Sequence, residues 1–201
     1  MPTVLVTGFE VFGPHVRNPT QEAVGLLPET LAGVGVVTGV LPVEYGRCGE
    51  VALALVEAHS PDAVNLTGLA AGRSAVTPER VAINLRDTGG AEGFADNSGY
   101  APEGVPIVAG GPDGIFATLP NRRIVEALLA AGIPAEISNS AGTYVCNETL
   151  YAALTSLASI PGPRPIAGLV HVPDVDVLPL ESIVRALHIT VDVVGKAVGT
   201  R

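Results

Sequence analysis

Residues 138–157 read SNSAGTYVCNETLYAALTSL and place one cysteine, Cys146, where a loop turns into a helix. Leucines recur at helical spacing after it, which predicts a helix that begins close to the cysteine. The first turn of a helix carries unpaired N–H groups and the positive end of the helix dipole. Both favour the thiolate over the thiol and can stabilise an oxyanion formed beside it. Cys146 is therefore a candidate nucleophile.

Most free cysteines are small buried hydrophobic residues, and the position of Cys146 alone does not separate that role from catalysis. Two features favour catalysis. The small polar segment 138–143, SNSAGT, is typical of a tight active-site turn, and a histidine and a glutamate occur elsewhere in similar contexts. A nucleophilic thiol needs a base and a group that orients the base. Cys48 opens another predicted helix without such a loop, and we interpret it as a packing residue.

A length of 201 residues favours one globular domain over residues 1–201, and the candidate nucleophile would make it a single catalytic domain. The chain is 47% hydrophobic and 15% charged and has no Trp, which excludes a disordered chain and favours a sheet buried on both faces. A net charge of −9 without a Lys/Arg cluster argues against nucleic acid or an anionic membrane as partner. Two cysteines, no apolar leader and no apolar run near about 18 residues predict a cytoplasmic protein without a membrane span.

Apolar runs and helical periods alternate along the chain. Buried strands are predicted at residues 3–8, 33–40, 63–69 and 166–172, and helices at 18–27, 46–59, 121–131, 146–157 and 180–194. Residues 87–113 are rich in Gly, Pro, Asp and Asn and predict one long loop. The alternation predicts a single three-layer α/β/α domain with a twisted, open, mainly parallel but mixed sheet.

Several side chains stand at ends of the predicted strands, where α/β sheets place ligands. Phe9 and Phe12 lie in the loop after the first strand, although their spacing is equally typical of core packing. His171 closes the strand at 166–172, and a lone strand histidine is more often a core or surface residue. Glu79 heads a β-rich run, where a solvated ion pair with Arg80 is the ordinary alternative.

Five motifs occur in a characteristic order. They are VTGFEVFG at 6–13, GLAAGR at 68–73, ERVAIN at 79–84, SNSAGTYVCN at 138–147 and HVP at 171–173. With Asp96-Asn97 between them, the chain resembles pyroglutamyl peptidase I, also called pyrrolidone-carboxylate peptidase, from residue 4 to about residue 173. The cysteine and glutamate motifs are long and specific.

The resemblance implies a cysteine peptidase that removes an N-terminal pyroglutamyl residue from peptides, on an α/β/α fold and without metal or cofactor. Carried over by motif, Cys146 is the nucleophile, His171 the general base and then acid, and Glu79 the group that orients the imidazole. The main-chain N–H of Cys146 is expected to bind the oxyanion. The family also implies a homo-oligomer, a dimer or a tetramer.

The expected substrate predicts the character of the pocket. A pyroglutamyl residue has lost its α-ammonium charge by ring closure, so the pocket should be apolar and should lack a carboxylate for an amine. The resemblance implies that five residues line it: Phe9, Phe12, Leu69, Tyr144 and Val145. Hydrogen-bonding partners in the pocket for the lactam N–H and C=O would be left unpaired by analogues that lack these two groups, so such analogues should bind poorly.

One feature departs from the family. Its members commonly carry an Arg just before the Asp-Asn pair that helps to stabilise the oxyanion, whereas residues 88–95, TGGAEGFA, contain none. We predict that Arg86 replaces it, with Arg73 or main-chain N–H groups of Gly89-Gly90 as alternatives. Arg86 could equally be a solvated surface charge.

Two alternative functions stay open: another cysteine amidase, or a catalytically degenerate pyroglutamyl-binding homologue.

Overall fold

The computed structural model describes residues 1–89 and 95–199, which form eight strands and five helices. The strands are β1 (Thr3–Phe9), β2 (Thr30–Leu31), β3 (Val34–Leu41), β4 (Ala63–Leu69), β5 (Thr77–Pro78), β6 (Val81–Ile83), β7 (Gly114–Phe116) and β8 (Ile166–Val172). The helices are α1 (Pro19–Gly25), α2 (Arg47–His59), α3 (Asn121–Ala130), α4 (Val145–Ala158) and α5 (Leu180–Gly199). None of these helices is long and apolar enough to cross a membrane.

The main sheet has the strand order β2-β3-β1-β4-β8-β5. β1 pairs in parallel with β3 and β4, and β4 pairs in parallel with β8. The outermost strands β2 and β5 run antiparallel to their neighbours. β4 and β8 are buried along their whole length, as expected of parallel strands covered on both faces. The predicted mixed, mainly parallel open sheet is confirmed.

Helices cover both faces of this sheet because consecutive strand residues point to opposite sides. Val4 and Val6 of β1 pack into the core beneath α1, α3 and α5. Leu5, between them, packs into the second core beneath α2 and α4. The three predicted layers are therefore present.

The carboxyl ends of β1, β4 and β8 lie along one edge of the sheet. Short strands that the sequence did not predict complete this edge. Thr77 of β5 pairs with His171, so the chain arrives beside the end of β8 just before Glu79. A separate two-stranded sheet, β6 with β7, follows. The described residues of the predicted loop at 87–113 contain no helix or strand, as expected.

Candidate active site

Cys146 is the second residue of α4, and the turn before it approaches in extended conformation through Tyr144. No side chain caps this helix start. Its first N–H groups therefore lack both intrahelical and side-chain partners and can be offered to a ligand. The predicted position of Cys146 at a helix N-terminus is confirmed.

Two buried polar residues that follow the cysteine fix this helix start. The Asn147 side chain accepts from the Ile83 N–H at 2.9 Å and donates to the carbonyls of Ile83 and Leu85 at 2.9 and 3.0 Å. The Glu148 carboxylate accepts from the Gly46 N–H at 2.7 Å. Sequence reasoning missed both residues. Three consecutive polar residues, Asn147, Glu148 and Thr149, at the start of a mostly apolar helix were the available signal.

His171 lies on β8 beside Gly68, its register partner on β4. A Cβ atom added to Gly68 would lie 2.7 Å from Sγ of Cys146 and 3.2 Å from Nε2 of His171. The thiol and the imidazole thus converge over a point of β4 that has no side chain. Any larger residue there would press between them.

Glu79 meets the other nitrogen of the imidazole. Nδ1 of His171 and Oε1 of Glu79 are 2.7 Å apart, and the Glu79 side chain is fully buried. The main chain holds this carboxylate in place, because the Glu79 N–H donates to the Leu169 carbonyl at 2.8 Å. Arg80 instead donates to Asn139, so the ordinary Glu79–Arg80 ion pair is not formed.

Burial and polar partners together shift the pKa values of the three groups. Burial raises the pKa of the Cys146 thiol to about 12. Burial also lowers the pKa of His171, against the opposing effect of Glu79. Burial alone would raise the pKa of Glu79, but the hydrogen bonds and charge of its partners, His171 foremost, lower it. Desolvation thus favours a resting pair of neutral thiol and neutral imidazole, and it acts against the thiolate that the helix terminus was expected to favour.

A cavity of about 680 Å³ opens directly in front of the thiol. The five residues predicted to line the substrate pocket all line it: Phe9, Phe12, Leu69, Tyr144 and Val145. Phe12 and Tyr144 lie with ring centroids 6.0 Å apart. Phe9 is 2% exposed and also belongs to the hydrophobic core, so its core-packing interpretation and its pocket position both hold. No acidic residue occurs among the described residues that line this cavity.

The segment after residue 94 forms part of the cavity wall. The Tyr144 hydroxyl donates to the Ala95 carbonyl at 3.0 Å, and Ala95 lines the cavity. The buried Asp96 carboxylate accepts from the Tyr45 N–H at 2.8 Å. The Asn97 side chain donates to the Val11 carbonyl at 3.0 Å. The Asp-Asn pair therefore organises a loop rather than contacting the thiol.

Arg86 is not brought to the thiol. Its guanidinium donates to both carboxylate oxygens of Glu148, at 3.0 and 2.7 Å, and Arg86 is not among the residues that line the cavity. The Nε–H and Nη2–H donors of Arg86 are thus already bonded to Glu148 and do not point to an oxyanion at Cys146. Arg73, in contrast, lines the cavity. Of the alternative backbone donors, the Gly89 N–H donates to Asp87 at 2.7 Å, and Gly90 lies outside the described residues.

A thiol, an imidazole and a buried carboxylate at the carboxyl edge of an α/β sheet are the arrangement of a cysteine hydrolase. The family model of pyroglutamyl peptidase matches residues 2–197. A pyrrolidone-carboxylate peptidase from Thermococcus onnurineus is 43% identical over 96% of this chain and 99% of its own length. The chain belongs to the pyroglutamyl peptidase family, a family of cysteine peptidases.

Solved structures agree with this assignment. The crystal structure of Bacillus amyloliquefaciens pyroglutamyl peptidase I superposes with a TM-score of 0.90, at 34% identity over 98% of both chains. A mutant pyrrolidone carboxyl peptidase from the hyperthermophile Pyrococcus furiosus also gives a TM-score of 0.90, at 37% identity over 97% of this chain and 99% of that one.

Proposed function

We propose that this enzyme hydrolyses the amide bond that follows an N-terminal pyroglutamyl residue, with Cys146 as nucleophile, His171 as base and acid, and Glu79 as orienting group. One observation carries the proposal. The 2.7 Å contact between His171 and Glu79 leaves Nε2 facing the Cys146 thiol across Gly68, beside the apolar cavity that His171 and Cys146 line. This arrangement supports the task proposed for each group.

The chemistry of the cavity supports the substrate. An amino acid with a free α-ammonium group would bury that charge against apolar walls without a carboxylate partner, which is costly. A pyroglutamyl ring is uncharged and flat, and the walls formed by Phe9, Phe12 and Tyr144 suit such a ring. This preference separates the proposal from a general cysteine amidase.

Acylation begins from the neutral pair. Nε2 of His171 accepts the thiol proton as Sγ of Cys146 attacks the pyroglutamyl carbonyl carbon. Glu79, bonded to Nδ1, stabilises the imidazolium that forms. The carbonyl oxygen becomes an oxyanion and accepts a hydrogen bond from the Cys146 N–H at the helix start. The C–N bond then breaks as Nε2 gives its proton to the leaving amine.

Deacylation repeats these roles with water. His171 removes a proton from a water molecule, which attacks the thioester carbonyl, and the C–S bond breaks as the proton returns to sulfur. Pyroglutamate leaves and the neutral thiol–imidazole pair is restored. Neither step requires a group beyond these residues and water.

A substrate panel tests the proposal. We expect the purified enzyme to release a chromogenic amine from its pyroglutamyl amide, and to release far less from the prolyl amide, which keeps the ring size but has a charged nitrogen. The Cys146→Ala variant should be inactive, and Cys48→Ala, at a buried position outside the cavity, should be active. Equal rates on both amides would contradict the proposed specificity.

The proposal also includes a homo-oligomer in a reducing, cytoplasmic setting. Phe116 of β7 and Leu129 of α3 are 69% and 54% exposed, and a contact between copies would cover such side chains. Both cysteines are free thiols. Light scattering should give a mass above that of one 20.4 kDa chain.

A further inference from the structure

Arg73 links Glu79 of the proposed triad to the loop that precedes Cys146. Its Nη1 donates to Oε1 of Glu79 at 2.5 Å, and its Nη2 donates to the Ser140 carbonyl at 2.8 Å. Nη1 also contacts Thr77 Oγ1. One guanidinium thus bonds both the carboxylate that orients His171 and the loop that leads to Cys146.

The charge of Glu79 needs a partner at every stage of the reaction. Its side chain is fully buried, and an uncompensated carboxylate in that environment is strongly disfavoured. Because burial lowers the pKa of His171, the imidazole is neutral in the resting enzyme and cannot balance the charge. Arg73 is the permanently charged cation in contact with Glu79 in the described part of the chain.

We propose that Arg73 is a positioning residue that supplies the countercharge of Glu79 while His171 is neutral, and so keeps His171 available as a base. The inference rests on the proposed function of the same site. The hydrogen bond from Arg73 to the Ser140 carbonyl gives Arg73 a separate task, which is to hold the loop before Cys146 close to the Glu79 carboxylate.

The two tasks have different consequences. Without the charge of Arg73, the buried carboxylate is best balanced by an imidazolium, so His171 takes up a proton at higher pH. Among residues 1–89 and 95–199, the ionisable or charged groups that face His171 are Glu79, Arg73 and Cys146, and His15 lines the same cavity. Without the Ser140 bond, in contrast, the loop loosens and the proton affinity of His171 does not change.

Three variants separate these consequences. Arg73→Gln removes the charge, and Arg73→Lys keeps the charge but lacks the planar fork whose two nitrogens reach Glu79 and Ser140 separately. Arg80→Gln is the matched control, because Arg80 adjoins Glu79 in sequence but donates to Asn139 at 2.8 Å. The measurement is the NMR titration of the His171 ring without substrate, together with the pH profile of kcat/KM on a pyroglutamyl amide.

We expect Arg73→Gln to move both the His171 titration and the acid limb of kcat/KM to higher pH. Arg73→Lys and Arg80→Gln should leave both midpoints in place. Arg73→Lys should also lower the plateau of kcat/KM by about ten-fold or more through the displaced loop. A structural role alone would lower the unfolding temperature without moving either midpoint.

A folded Arg73→Gln variant whose His171 titrates at the wild-type midpoint overturns the inference. If that variant does not fold, Arg73→Met, which also removes the charge but keeps an unbranched stem, takes its place: a raised midpoint supports the countercharge role, and an unchanged midpoint overturns it. Because the titration needs no substrate, it tests Arg73 even if pyroglutamyl amides are not cleaved. Failure of the inference and failure of the proposed function are therefore distinguishable.

Discussion

Gly68 is the position where the smallest change should do the most damage to catalysis. In Gly68→Ala, the new methyl group would stand 2.7 Å from Sγ of Cys146, whereas ordinary contacts of a Cβ begin at 3.4 Å. The methyl group cannot avoid the thiol by shifting toward the imidazole, because Nε2 and Cδ2 of His171 would lie only 3.2 and 3.1 Å from the new Cβ. The thiol must therefore move by about 0.7 Å or swing out of line with its base.

The size of the loss follows from that displacement. A misplacement of about 1 Å between reacting groups can lower a rate by about 10²-fold, or about 2.7 kcal/mol of barrier. We expect kcat/KM of Gly68→Ala to fall by roughly this factor. KM should change little, because Gly68 is not among the described residues that line the cavity.

The assay is the initial rate of pyroglutamyl amide cleavage, with thermal unfolding measured on the same samples. Gly72→Ala is the matched control, since a Cβ at Gly72 would meet no atom within 4 Å and the residue is not in the left-handed region. Its kinetics should resemble wild type. Wild-type kcat/KM in a folded Gly68→Ala variant would refute the geometry proposed for the thiol and imidazole.

Three further predictions concern the triad, its ionisation and the helix start. Cys146→Ala and His171→Ala should each remove most activity, and the double variant should lose little more, because the groups act as a unit; additive losses in kcat would contradict this. The acid limb of the pH–rate profile should lie below pH 6.5, because the pKa of His171 is lowered from 6.5 and protonation of His171 removes the base. The alkaline limb should lie above pH 9, because the pKa of the Cys146 thiol is raised from 9.0. A limb between these values in a pH series of kcat/KM would exclude the neutral resting pair. Arg86→Gln leaves the Glu148 carboxylate, which is 3% exposed, without its cationic partner. The substitution should therefore lower the free energy of unfolding by about 3 kcal/mol and the melting temperature by about 6–12 °C. Adding Glu148→Gln should restore much of this stability, whereas a large fall in kcat at unchanged melting temperature would favour the oxyanion role for Arg86.

The sequence predicted the long buried strands and helices well because their signals are local. β4 and β8 have the predicted bounds, since each is a seven-residue, mostly apolar run between turns that contain Pro or Gly. The strands it missed, such as Thr77–Pro78 and Gly114–Phe116, are two and three residues long and too short to show a period. They form because neighbouring strands offer partners, which no local pattern contains.

The same distinction divides the residues of the site. Cys146, His171 and Glu79 stand in recognisable motifs, whereas the importance of Gly68 and Arg73 depends on contacts across the fold. Gly68 matters because register pairs it with His171, and Arg73 because its guanidinium reaches Glu79. The expected thiolate meets an opposing effect for a related reason: a helix start is visible in sequence, whereas desolvation of the thiol is a property of the assembled site.

Affinity labelling tests the nucleophile and the pocket together most directly. A pyroglutamyl chloromethyl ketone should alkylate Sγ of Cys146, with activity falling in proportion to the label found there by peptide mapping. Excess free pyroglutamate should slow the reaction, and Cys146→Ala should take up no label. Label on Cys48, or full activity after Cys146 has been modified, would contradict the assignment of Cys146 as the nucleophile of a pyroglutamyl peptidase.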